Sequence, residues 1–101
     1  MGQRLDLQQD LEALLGSNNV YFQPPSNVQM AFPAIVYKRD DIRSEFAGNL
    51  PYRLTDRYMV TVIDRDPNSP TPKKVALLPM CVFSRHYVAD NLNHDVYILY
   101  Y

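Results

Sequence analysis

A single cysteine, Cys81, stands in the 101 residues, which rules out an internal disulfide framework and any multi-cysteine zinc site. It fits a reducing compartment, with the thiol read as a small buried side chain rather than a nucleophile. Glycine is nearly as scarce: Gly2, Gly16 and Gly48 lie far apart, so no glycine-rich loop can cradle a phosphate. Charge of one sign is missing too. Ten Lys and Arg face eleven Asp and Glu, a net charge of -1, without the basic excess of a general DNA-coating protein. A balanced total can still hide local patches. No long apolar run exists, and MGQRLDLQQD carries charges where a signal peptide has its apolar core. Its sixth residue is Asp6, where a myristoylation signal has Ser or Thr. The expectation is a soluble protein made inside the cell, with no membrane partner.

What is present is globular composition, with 47% apolar and 21% charged residues, in a length that suits one domain over 1–101. So short a chain buries a modest fraction of its surface. Leu7, Leu11, Leu14 and Leu15 fall on one helical face, which predicts a helix over Leu5 to Leu15. Asp6 and Gln9 suit a capping box at its start, and Gly16 a stop. Val20 to Gln23 reads as a strand ended by Pro24-Pro25, and Ser26 to Pro33 as a loop. Ala34 to Tyr37 is a second strand, turning polar at Lys38 to Asp41, and about Tyr52 to Ile63 a third. Between them Phe46 to Pro51 is a turn-rich tip whose polar flanks suggest a hairpin arm projecting from the body. Pro67, Pro70 and Pro72 forbid regular structure until Thr71, read as an N-cap, opens a short helix over Lys73 to Leu78 before Pro79. Cys81 to Val88 and Asp95 to Tyr101 are two closing strands joined through Ala89 to His94. This order predicts an α+β fold: a mainly antiparallel sheet of about four or five strands, with an N-terminal helix and a short second helix packed on it.

Two constellations invite a metal. Asp64 and Asp66 share one side of a strand end, yet a hard cation needs six or more oxygens. Asp66-Pro67-Asn68-Ser69-Pro70 explains itself as a turn. His86, Asp90 and His94 would align on a helix, but Asn91-Leu92-Asn93 breaks one; a hairpin turning at Asp90-Asn91 still lets the two imidazoles approach across the strand pair. Ser84, beside Arg85-His86, lacks the glycine-flanked elbow of a catalytic serine. Eight tyrosines and four phenylalanines admit base stacking, which also wants a basic groove. They also suit contact between protein surfaces. Tyr97-Ile98-Leu99-Tyr100-Tyr101 is apolar on both faces, so it lies in the middle of the sheet or under a partner.

Leu11 to Leu15, "NNVYFQPPSNVQMAFPAIVYKRDDI", "YRLTDRYMVTVIDRDPNSP" and "FSRHYVADNLNHDVYILY" together resemble the tail-terminator (tail-completion) proteins of long-tailed bacteriophages, in element order and phrasing over nearly the whole chain. The resemblance implies a homo-hexameric ring at the tail–head junction of the virion, made in the host cytoplasm, without active site or cofactor. It would cap the tail-tube protein, stop its polymerisation and meet the head-connector or head-closure protein, with genomic DNA passing through without sequence-specific binding. The second helix, boxed in by Pro70, Pro72 and Pro79, must be short or missing, which departs from that pattern. The family has no fixed marker residues, so the interface is chosen on physics: Phe46, Leu50, Tyr52 and Arg53 on the arm, and the Pro24-Pro25 loop through Met30 and Phe32. Arg39, Arg43, Arg57 and Arg65 alternate with acidic neighbours and suit ion pairs between subunits. The other readings are a head-closure or adaptor protein of the neck, and a small metal-dependent enzyme using Asp64, Asp66 or His86 and His94.

Overall fold

Leu7 and Leu11, one helical turn apart and fully buried, seat the N-terminal helix on one side of a five-stranded sheet. The computed structural model describes residues 4–101, the side chains of residues 51–53 excepted. The helix, α1, runs Arg4–Leu15 and ends at Gly16, whose φ of +81° suits a residue without Cβ and whose N–H donates to the Glu12 carbonyl. Then come β1 (Val20–Phe22), β2 (Ala34–Ala47), β3 (Leu50–Asp64), α2 (Thr71–Ala76), β4 (Cys81–Ala89) and β5 (Leu92–Tyr100). The sheet order is β1-β2-β3-β5-β4, antiparallel throughout except for β1 beside β2. The fold is α+β, as the pattern predicted. Among the described residues no helix is long and apolar enough to cross a membrane.

Several boundaries differ from expectation for physical reasons. β2 does not stop where it turns polar; it continues to Ala47 because β3 gives it a partner along its length. The turn shrinks to Gly48-Asn49, both with positive φ, the two-residue form whose twist matches paired strands. Asp90-Asn91, also both positive, close the second hairpin likewise, so β5 starts at Leu92 and His94 lies within it. The second helix begins at Thr71, not Lys73. Thr71 is not its N-cap: it is buried inside the first turn, and its N–H donates to Ser69 Oγ at 3.4 Å. Cys81 is half-buried, its thiol pushed up by burial.

One side of the sheet meets the helices. Ile35 and Tyr37, Tyr58, Val60 and Val62, and Tyr97 and Leu99 pack there with Leu7, Leu11 and Val75. The register sets them in rows, Tyr37 opposite Val60 and Val60 opposite Tyr97. Tyr37 donates its hydroxyl to Gln8 and Tyr97 to the Pro72 carbonyl at 2.8 Å, tying each helix to the sheet. Tyr97-Leu99 is therefore central in the sheet, the first of the two options its apolar character left open.

Candidate functional site

The molecule measures 50 × 25 × 23 Å with a radius of gyration of 14.6 Å, beyond the ~13 Å of a compact domain this size. The excess length is the arm. β5 pairs with β3 only from Arg57 onward and β1 with β2 only to Tyr37, so the outer parts of β2 and β3 have only each other. A bulge at Asp40 reverses the alternation, and Ile42, Leu54 and Phe46 continue the helix-facing side of the sheet past the end of the helices. They are 46%, 59% and 64% exposed. Leu50, across from Ala47, is still more exposed on the opposite side. A two-stranded ribbon is marginal alone in water, and these side chains form an exposed apolar stripe along it.

Among the described residues the other side of the sheet carries no helix. Strand alternation places Val36 and Lys38, Met59 and Thr61, Val96 and Ile98, and Val82, Arg85 and Tyr87 there. An open groove of about 700 Å³ crosses it, walled by Gln23 and Pro24 at one end and by Arg85 and Tyr87 at the other. Among the described residues Lys38, Arg39 and Arg85 line this groove and no carboxylate does. Arg85 lies over the Tyr87 ring at 5.5 Å, and His94 stacks on that ring at 4.5 Å.

The expected interface residues fall on two regions. Phe46 and Leu50 sit at the arm tip; Tyr52 and Arg53 lie outside the described side chains. Pro25 is exposed, while Pro24, Met30 and Phe32 are half-buried, with Arg65 over the Phe32 ring at 6.0 Å. Arg57 is engaged within the chain: it donates to Asp40 at 3.0 Å and approaches Asp41 at 3.9 Å. Its pKa is raised, first by that hydrogen bond. Arg43 lies over Tyr100 at 5.9 Å, and Arg39 is exposed.

The metal candidates are also accounted for. Asp64 Oδ1 accepts from the Asp66 N–H at 3.0 Å, and Asp66 Oδ1 from the Asn68 N–H at 2.9 Å, two consecutive turns in which each side chain caps the backbone ahead. His86 and His94 do not meet. His86 pairs opposite Asp95 and bonds it at 2.8 Å, while His94 pairs opposite Tyr87, so alternation sends the two rings to opposite sides of the sheet. Among the described residues no three His, Cys, Asp or Glu side chains gather as a metal site would.

Sequence reasoning missed the bare face and the outer strand. In β4 every residue after Cys81 is exposed, Val82, Phe83 and Val88 included. Lys38 and Arg85, 47 positions apart, meet one groove only through the register of four strands, so no local signal marks them. The persistence of β2 was readable in principle, since Lys38 to Glu45 contains no glycine or proline to stop it. Neither the protein-family models nor the curated proteins include a match to this chain.

Proposed function

We propose that this chain is a structural subunit of a long-tailed bacteriophage, forming a homo-hexameric ring that caps the tail tube, stops its polymerisation and joins the tail to the head connector. Two supports differ in kind. The likeness to tail-terminator proteins in element order and phrasing supplies the virion context and the sixfold count. The arm supplies the physical argument and carries the reading: Ile42, Leu54 and Phe46 extend the core-facing side of the sheet beyond the helices that cover the rest. Covering them with a neighbouring copy or with the tube removes apolar area from water and orders the ribbon. In a closed ring such contacts are heterologous, one patch meeting a different patch on the next copy. The subunit then works through its surfaces and transforms no small molecule, and DNA passes through the ring without base-specific contact.

The test is assembly. Solution mass, alone and mixed with tail-tube protein, is expected to reveal rings that form readily on the tube. Tails assembled without this protein are expected to be overlong. Tubes of normal length that fail to join heads would assign the chain to the neighbouring adaptor layer instead. A stable monomer that holds one zinc or manganese ion, lost on His94→Ala, would replace the structural reading with the enzymatic one.

A further inference from the structure

The aromatic residues of this chain suit base stacking, which also wants a basic groove, and the fold supplies one. Lys38, Arg39 and Arg85 line the groove on the bare side of the sheet, and among the described residues no carboxylate does. Neither Lys38 nor Arg85 forms a salt bridge among those residues. Asp41 and Glu45 share this side of the sheet without lining the groove: Asp41 faces Arg57 at 3.9 Å, and Glu45 is engaged within the chain.

Register fixes the span between the cations. Lys38 pairs with Met59, whereas Arg85 shares its row with Val96, Thr61 and Val36, so Arg85 stands three strands across and two residues along from Lys38. At about 4.8 Å between strands and about 3.4 Å per residue, their backbones are about 16 Å apart. Val36, Met59 and Thr61, each half-buried, form the floor between them. At the far wall the Tyr87 and His94 rings stack at 4.5 Å, 9° from parallel, and the Arg85 guanidinium lies over Tyr87 at 5.5 Å, held against the ring. We infer that this groove binds a single-stranded nucleic acid through its phosphates, Lys38 and Arg85 gripping the backbone from either rim while sugars and bases lie over the Val36–Met59 floor. A duplex keeps its base faces stacked inside and would leave that floor uncovered; a single strand can turn them onto it. An acidic peptide would satisfy the cations but not its own backbone, because the face of a sheet, unlike an edge, offers no open N–H or C=O groups. Phosphate contacts carry no sequence information, so binding is tolerant of sequence. The site lies within one subunit; it goes beyond the ring and does not depend on it.

Fluorescence anisotropy of labelled oligothymidylate and oligouridylate, titrated with the full chain at several salt concentrations, tests the inference, with folding checked by circular dichroism. Wild type is expected to bind, and the tighter of the two probes names the sugar. Each phosphate contact to a single strand contributes about −0.7 to the slope of log K against log salt. Lys38→Gln with Arg85→Gln removes two contacts, so binding should weaken about 60-fold at about 0.05 M salt and only about 10-fold at about 0.2 M. Lys73→Gln with Lys74→Gln takes the same charge from the second helix, on the other side of the sheet, and should bind as wild type does. Should the double groove variant fail to fold, Lys38→Gln alone is expected to weaken binding about 8-fold at about 0.05 M salt. No binding by wild type up to about 0.1 mM protein, the weak limit of non-specific association, would overturn the inference. Equal weakening in the groove and helix variants would also overturn it, reducing the effect to overall charge. A duplex bound as tightly as the single strand, or equally ready displacement by polyglutamate, would do the same.

Discussion

Tyr97→Phe isolates one bond that holds the second helix to the sheet. Tyr97 is 2% exposed, and its hydroxyl donates to the Pro72 carbonyl at 2.8 Å across 25 residues of chain. Removing the oxygen leaves the ring, its edge contact with Phe83 at 5.5 Å and its packing in place, so no cavity opens. The loss is then one neutral buried hydrogen bond, about 1 kcal/mol. For a domain near 100 residues that lowers Tm by about 4–8 °C. Thermal unfolding followed by circular dichroism at pH 7 measures it. A second readout comes at high pH. Burial first, then Asp95, pushes the Tyr97 hydroxyl up to about 12, whereas an unfolded tyrosine ionises near about 10. Between those values the folded chain keeps a proton that the unfolded chain has lost, so stability falls as pH rises. This group's contribution is whole below about pH 10 and gone above about pH 12. Wild type should therefore lose stability more steeply than Tyr97→Phe across that window. A Tm unchanged at pH 7, with parallel alkaline curves, would refute the bond and the account of the helix anchored by it.

Leu11→Ala, at a fully buried site between α1 and the sheet, should cost about 2–5 kcal/mol in urea unfolding. A smaller loss would mean that the helix is not seated as described. Phe46→Asp with Leu50→Asp, at positions 64% and 74% exposed, should leave urea stability within about 0.5 kcal/mol yet abolish assembly on tail-tube protein; retained assembly would remove the arm from the interface. Gly48→Ala places a Cβ at φ +61° with nothing within 4 Å of it, so strain alone should cost about 1–2 kcal/mol; no loss would exclude the left-handed turn. Asp66→Ala removes the bond to the Asn68 N–H and should change Tm only slightly, and manganese or zinc added to wild type should not raise it; a rise of several degrees would reveal a bound ion.

Local chemistry made much of this readable in advance. The spacing of Leu7 and Leu11 specifies a helix face because 3.6 residues make a turn, and Gly16 ends it for lack of a Cβ. Asp66-Pro67-Asn68 declares a turn, since the side chains bond the adjacent backbone whatever the rest of the chain does. Asp90-Asn91 similarly marks a hairpin. The α+β class follows from one helical and several strand-like segments in that order. Tertiary structure decided what depends on partners distant in the chain. β1 lies parallel to β2 because its loop carries the chain back along the same direction, which no residue of Val20–Phe22 encodes. Lys38 to Ala47 is a strand because Leu50 to Met59 is paired with it, overriding its polar composition. The separation of His86 from His94, the apolar stripe on the arm and the union of Lys38 with Arg85 in one groove all arise from register. A shift of one residue in register moves every side chain of a strand to the other face. Register is set by the packing of the whole sheet, and for that reason the candidate interface took shape only in the folded molecule.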